Sequence, residues 1–234
     1  MPVLLLTGAN RGLGLEFVRQ YLEEGGWRIH ACCRRPEAAA ELAALAQQAG
    51  PERLLVHGLD VADFGRIEAL AEALRGEPID LLLNNAGVLR DRDFGGFGTT
   101  DYEAFADSFR INAMAPLKMA EAFVEHVARS ERRLIVNITS RMGSIADNTS
   151  GGFYTYRASK AALNMVTRSM ALDLAPRGIT CVVLHPGWVR TDMGGQGAPL
   201  APRESIAGMR RVIAALGPEQ SGRFFAYDGS EIPW

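Results

Sequence analysis

Short apolar runs alternate with longer amphipathic stretches along nearly all of the 234 residues. "VLLLT" (3–7) precedes a glycine-rich turn and an amphipathic stretch from Leu13 to Glu24. "WRIHACC" (27–33) precedes the alanine-rich stretch 37–49, and "RLLVHGLDV" (53–61) leads into 64–75. "IDLLLNNAG" (79–87) is followed by a long helical pattern from about Asp101 to Arg129. "RLIVNIT" (133–139) precedes a helix from about Tyr156 to Ala175, "TCVVLHP" (180–186) is a sixth strand and "GRFFAYDG" (222–229) a seventh. Buried runs of this length, alternating with helices, are parallel strands joined by crossovers, with both sheet faces covered. No repeat, low-complexity segment or linker divides the chain, so residues 1–234 form a single α/β domain. The loops richest in Gly and Pro, 94–100, 143–152 and 194–202, all follow strands and should gather at the carboxyl edge, where ligands bind in such folds.

Composition narrows the partners. The formal net charge is −2, with 22% charged residues, which argues against nucleic acid and against a polybasic membrane contact. Cys32, Cys33 and Cys181 have no metal-ligand spacing, and no metal site is expected; Cys32 and Cys33 should point to opposite faces of a strand. They read as small core residues in a reducing compartment. The opening "MPVLLLTG" lacks a basic region and a long apolar run, and no stretch approaches ~20 apolar residues. A soluble, cytoplasmic protein is the expectation.

The turn "TGANRGLG" sets Gly8, Gly12 and Gly14 between the first strand and the first helix. Glycines there let the backbone approach a pyrophosphate, and the helix N-terminus offers free N–H groups. The spacing departs from G-x-G-x-x-G, so position after the first strand carries the nucleotide reading. An acid about twenty residues further on would bind a ribose 2′-hydroxyl, and an arginine a 2′-phosphate. Arg34 and Arg35 stand there, no Asp or Glu occurs from Gly25 through Pro36, and Arg11 lies inside the turn. The expected cofactor is NADP(H) rather than NAD(H).

In "FYTYRASK" (153–160), Lys160 follows Tyr156 at i+4, whereas Tyr154 has Ala158 in that place. On a helix those positions share a face. A unit charge about 4 Å away, at an effective dielectric near 20, is worth about 4 kcal/mol, enough to lower a phenol by about three pKa units. An exposed, chemically idle Tyr–Lys pair is the plain alternative.

These motifs occur in a recognisable order. "TGANRGLG", "NNAG" (84–87), Asn112, the "ITS" ending in Ser140, "YRASK" and "PGWVRT" (186–191) resemble the short-chain dehydrogenase/reductase family from Thr7 to Thr191. Within it, "SRMGSIADNTSGGFYTYRASKAALNM" and "YDGSEIPW" look like the C-factor and sniffer-type carbonyl reductases. The resemblance implies a Rossmann-type domain with a seven-stranded, mostly parallel sheet and helices on both faces. It implies a proton-transfer set of Asn112, Ser140, Tyr156 and Lys160, with Tyr156 the proton donor, Ser140 on the carbonyl oxygen, and Lys160 on the nicotinamide ribose. Asn112 would anchor a water linking Lys160 to solvent. Cofactor contacts would come from Gly8, Asn10, Arg11, Gly12, Leu13, Gly14 and Arg34. Asp60 and Val61 would bracket the adenine, Asn85, Ala86 and Gly87 would pass the ribose, and Pro186, Gly187, Val189 and Thr191 would meet the carboxamide. Asp60 could instead cap the helix starting near Asp63.

One spacing departs from the family. Its serine stands about thirteen residues before the tyrosine; Ser140 is sixteen before Tyr156, and Ser144, at twelve, is the rival. "ITSRMG" keeps a strand-end serine with a glycine three later, which favours Ser140.

Met142, Ile145, Phe153, Tyr154, Trp188 and Met193 would border a lipophilic aldehyde or ketone, and the loop 194–202 would order over bound ligand. The function expected is NADPH-dependent carbonyl reduction by a dimer or tetramer built on the two long helices. The rivals are a cofactor-sensing signalling protein of C-factor type and an NAD-linked alcohol dehydrogenase.

Overall fold

In the computed structural model, which describes residues 1–91 and 96–234, seven strands make one sheet in the order β3-β2-β1-β4-β5-β6-β7. They are β1 (Val3–Thr7), β2 (Arg28–Cys33), β3 (Leu54–Gly58), β4 (Leu81–Asn84), β5 (Leu134–Ile138), β6 (Thr180–His185) and β7 (Phe224–Ala226). Every neighbouring pair is parallel, so the sheet is wholly rather than mostly parallel. The first two residues of the loop expected at 94–100 lie outside the described residues.

The alternation of side chains along the strands splits the core into two layers. Leu4, Leu6 and Cys33 face helices α1 (Gly12–Glu24), α2 (Ala40–Ala49) and α7 (Pro202–Ala214), through Phe17, Tyr21, Leu42, Ile206 and Met209. Val3, Leu5 and Cys32 face the other layer, with Ile67 of α3 (Phe64–Ala73), Met119 and Phe123 of α5 (Ala115–Ala128) and Met170 of α6 (Tyr154–Asp173). Cys32 and Cys33 do part to opposite faces, as a strand requires.

The long helical pattern 101–129 is one continuous helical rod with a flaw in it. Between α4 (Tyr102–Phe109) and α5 lies a π-turn, Arg110–Met114, in which the Ala115 amide donates back five residues to the Arg110 carbonyl. Pro116 gives a physical reason: in a regular α-helix its ring would press on the carbonyl of Asn112, and a widened turn relieves that contact.

Order reverses around β1, whose neighbours are β2 on one side and β4 on the other. Crossovers therefore leave in opposite directions from β1 and β4, and a crevice opens at their carboxyl ends. The glycine turn after Thr7 and the Asn84–Gly87 segment line it. Among the described residues, no helix is long and apolar enough to cross a membrane.

Candidate active site

The floor of the crevice is a backbone fit. Gly8 has φ +69°, and a Cβ there would stand 2.9 Å from the Ala86 Cα. A Cβ on Gly14 would lie 2.0 Å from the Gly8 carbonyl oxygen, so α1 packs against the turn that precedes it only because this residue is glycine. Thr7 locks β4 to the same turn: its hydroxyl oxygen accepts from the Asn85 and Ala86 amides at 3.1 Å each. The Asn85 side chain donates to the Thr7 and Gly8 carbonyls. No side chain caps the N-terminus of α1, where the N-cap is Arg11, so its first-turn N–H groups face outward without an intrahelical partner.

Arg11 and Arg34 are both exposed, and Arg11 pairs with Asp192 at 2.8 Å. Asp60 is not a helix cap. Asp63 fills that role by accepting from the Arg66 amide, while the Asp60 carboxylate accepts from the Ala62 amide in its own turn. Val61 is buried beside it.

Above the glycine turn, the segment after β6 is tied down by hydrogen bonds. The Pro186 carbonyl accepts from Ser205 of α7, and Gly187, at φ +84°, has room for no Cβ against Leu200. The Arg190 amide donates to the Leu200 carbonyl, Leu200 donates to Trp188, and the Trp188 indole donates to Gly194. Thr191 accepts from the Gly194 amide and lies against Gly12. These hydrogen bonds, with those of the Arg190 guanidinium to the Ala198 and Pro199 carbonyls, tie 194–202 to the segment after β6.

The second group of residues converges between β5 and α6. Ser140 follows β5, and its hydroxyl oxygen caps the short 3-10 turn Arg141–Gly143 by accepting from the Met142 amide at 3.1 Å. The Tyr156 phenol, buried at 8% exposure, lies near enough to that hydroxyl for Ser140 to favour its ionised form. The Ser144 hydroxyl is engaged elsewhere: it donates to the Pro233 carbonyl at 2.6 Å and accepts from the Asp147 amide. Gly143 keeps Ser140 close to α6, because a Cβ there would meet the Lys160 carbonyl carbon at 2.8 Å.

Asn112 is fully committed. Its Oδ1 accepts from the Val88 amide at 2.8 Å, and its Nδ2 donates to the Val88 carbonyl and to the Ser159 hydroxyl, each at 2.9 Å. Gly87 sits against both Asn112 Oδ1 and Lys160 Nζ, so these groups meet at the end of β4.

Lys160 Nζ donates to the Ile138 carbonyl at 2.9 Å and stands 5.8 Å from the Tyr156 ring centre. Burial of the phenol outweighs the Ser140 hydrogen bond and pushes Tyr156 up to about 12. Burial likewise pushes Lys160 down to about 8. At neutral pH the phenol therefore keeps its proton, which suits a donor rather than a base.

Of the six apolar side chains expected to border a substrate, Ile145, Tyr154, Trp188 and Met193 are exposed and Met142 and Phe153 half-buried, and Phe97 stacks edge-on with Tyr154 at 6.4 Å. Three features escaped the sequence: the Thr7 latch, the Asp91 carboxylate at the start of α6, and the packing of 231–234 on the loop after Ser140. The only sequence sign of Asp91's part is indirect: "SGGFY" offers α6 no good N-cap at Phe153.

Residues 2–199 match the short chain dehydrogenase family. The chain belongs to that family. Among curated members of the family, the C-signal protein of Myxococcus xanthus is 52% identical over 157 residues, covering 67% of this chain and 93% of that protein. The carbonyl reductase Sniffer of D. melanogaster superposes with a TM-score of 0.94 at 35% identity, each chain covered completely. An NADPH-bound carbonyl reductase from chicken fatty liver superposes with a TM-score of 0.92, also at 35% identity and with complete coverage of both chains. The family match begins before the glycine turn and ends beyond Thr191, and so spans both halves of the crevice.

Proposed function

We propose that the protein is an NADPH-dependent reductase that converts a lipophilic aldehyde or ketone to its alcohol, with Tyr156 as general acid. The observation that carries this reading is the convergence of a buried Tyr156 phenol, the Ser140 hydroxyl near it and the Lys160 ammonium 5.8 Å from its ring centre.

The crevice fits a dinucleotide. Gly8 and Gly14 bring backbone to within a methyl group's reach of its neighbours, and the uncapped start of α1 presents N–H groups to a pyrophosphate. Around that turn, Gly12, Leu13 and Asn10 would hold the phosphates by backbone, and Arg11 and Arg34 would take the 2′-phosphate. Asp60 and Val61 would flank the adenine, and Asn85, Ala86 and Gly87 the nicotinamide ribose with Lys160. Pro186, Gly187, Val189 and Thr191 would take the carboxamide. NADPH in the chicken liver neighbour supports the choice of cofactor, as does the lack of any acid from Gly25 through Pro36. When bound, the dinucleotide supplies the hydride to the carbonyl carbon.

The chain's own residues do the remainder. Ser140 and Tyr156 would hold the carbonyl oxygen between their hydroxyls, and Tyr156 would release its proton to that oxygen as negative charge develops there. Lys160 would offset the charge left on the phenol. Asn112, held by Val88, keeps the lysine's surroundings fixed. Trp188, Ile145, Met193 and Tyr154 would surround an apolar substrate. Buried, unpaired cysteines suit a cytoplasmic setting. Met165 and Leu172, exposed seven residues apart on one face of α6, suit a homodimer or homotetramer.

A panel of aldehydes and ketones followed by NADPH absorbance tests the reading. Tyr156→Phe should abolish turnover while NADPH still binds, and normal turnover in that variant would remove the mechanism. The 52% identity to C-signal favours a second reading, a signalling protein. That reading requires Tyr156→Phe to keep biological activity.

A further inference from the structure

Helix α6 begins badly. The Phe153 N-cap is left-handed at φ +49°, Gly151 and Gly152 before it are at φ +64° and +65°, and no side chain at the N-cap position bonds to the first turn. The helix nonetheless starts at Tyr154, two residues ahead of the catalytic tyrosine. What holds the first turn comes from the loop after β4. The Asp91 carboxylate spans two adjacent amides, Oδ1 accepting from Thr155 at 3.1 Å and Oδ2 from Tyr156 at 2.8 Å. A carboxylate there satisfies two orphan donors and complements the positive end of the helix.

The carbonyl of the same residue is held too. The Tyr156 carbonyl accepts from the Ser159 hydroxyl at 2.9 Å, and Ser159 is in turn held by Asn112. Asn112 is fixed at both ends of its amide by Val88, three residues before Asp91. The single segment 88–91 therefore grips the N–H of Tyr156 directly and its C=O through two side chains. Arg90 anchors that segment to Asp107 on α4.

We propose that Asp91 is a positioning residue: its two-oxygen grip on the first turn of α6 sets the place of the Tyr156 phenol against Ser140. The proposal rests on the assignment of Tyr156 as proton donor. Two bonds to adjacent amides fix both the height and the rotation of the turn, and one bond would fix only the first. An error of a fraction of an ångström in the phenol's place is costly to proton transfer, and about 1 Å can reduce a rate a hundredfold.

Asp91→Ala and Asp91→Asn test it, with NADPH and 4-nitrobenzaldehyde as the assay pair. Asp91→Ala is expected to lower kcat about tenfold or more, leaving KM and the NADPH dissociation constant near wild type. Asp91→Asn, which keeps one acceptor, should fall between. A second measurement needs no turnover: the 13Cζ shift of Tyr156, assigned by its loss in Tyr156→Phe. In Asp91→Ala it should move towards the value in Ser140→Ala, where the hydroxyl contact is gone. Wild-type kcat and an unmoved 13Cζ signal, whatever the change in Tm, would make Asp91 an ordinary helix cap and overturn the proposal. Should Asp91→Ala not fold, the same two readings on Asp91→Asn decide. If the wild-type protein reduces no carbonyl, the functional reading fails while the 13Cζ comparison still judges Asp91.

Discussion

The Lys160 ammonium nitrogen stands 5.8 Å from the centre of the Tyr156 ring and donates instead to the Ile138 carbonyl at 2.9 Å. Both groups are nearly excluded from water, and burial acts on them in opposite directions: the phenol is pushed up to about 12, the ammonium down to about 8. In the range between, the phenol keeps its proton while the lysine gives up its charge. Of the two groups, the lysine is the one that titrates first as pH rises.

That order sets a pH profile. Lys160 has a lowered pKa, so its charge is complete well below pH 8 and is lost as pH rises through about 8. Carbonyl reduction, read as kcat/KM with NADPH saturating, should be level near pH 6.5–7 and fall above about 8. The phenol cannot produce that limb, since it titrates near 12. Lys160→Met should flatten the profile at a much lower rate. A profile level to pH 10 in the wild-type protein would show that the lysine charge is not used.

The two serines should separate cleanly. Ser140→Ala removes a hydroxyl that touches the phenol, and a loss of about 100-fold in kcat is expected, as for the removal of one oxyanion donor. Ser144→Ala removes the donor to the Pro233 carbonyl and leaves kcat within about twofold while lowering stability by about 1–2 kcal/mol. Steady-state kinetics and thermal melting of both variants check the pair. Equal kinetic losses would mean that the 231–234 segment, rather than Ser140, governs the chemistry.

Those variants also mark where sequence was informative. Short, mainly apolar runs announced the strands, and the parting of Cys32 from Cys33 followed from the two-residue period alone. Spacing placed Lys160 near Tyr156 without saying where its flexible side chain would point; the Ile138 carbonyl, twenty-two positions earlier in sequence, captured it. The Ser144 hydroxyl is occupied by Pro233, far along the chain, so counting residues back from Tyr156 could not choose between the serines. Asp91 reaches α6 across 65 positions, and the π-turn depends on how Pro116 meets the preceding turn. Periodicity reports local faces. Side-chain bonds between distant loops leave no period to read.

A histidine pair, His30 buried and His57 half-buried, should make stability acid-sensitive. His30 Nδ1 and His57 Nε2 lie 2.9 Å apart, sharing one hydrogen bond that requires at least one neutral ring, with Arg28 and Glu77 the charged neighbours. Burial first, then the His57 and Arg28 charges, push His30 down to about 4, and burial lowers His57 as well. Folded-state values below the unfolded value of about 6.5 mean that the unfolded chain takes up protons first as pH falls. Stability is therefore full above about pH 6.5 and declines towards pH 4. The expected loss is about 2 kcal/mol, read from urea unfolding at pH 7 and pH 5. Burial also pushes His185 down to about 4 and lowers His126, so His30→Phe should lessen the decline without removing it, and an equal decline in that variant would assign it to those rings.

The last test concerns how the loop after β5 is seated on α6. A Cβ on Gly143 would come within 2.8 Å of the Lys160 carbonyl carbon and 2.9 Å of the Lys160 Cβ. Both belong to a buried helix that cannot yield as the end of a flexible side chain can. Gly143→Ala must therefore lift the 3-10 turn Arg141–Gly143 away from α6, and Ser140, whose hydroxyl caps that turn, moves with it. The damage should fall on the Ser140–Tyr156 contact before it reaches the core: kcat is expected to drop at least about tenfold, with NADPH affinity unchanged because the glycine turn lies across the crevice. Gly217→Ala, where a Cβ meets nothing nearer than 3.5 Å, is the matched control. Wild-type kcat in Gly143→Ala, measured by NADPH absorbance below its melting temperature, would show that Ser140 is held by something other than this contact.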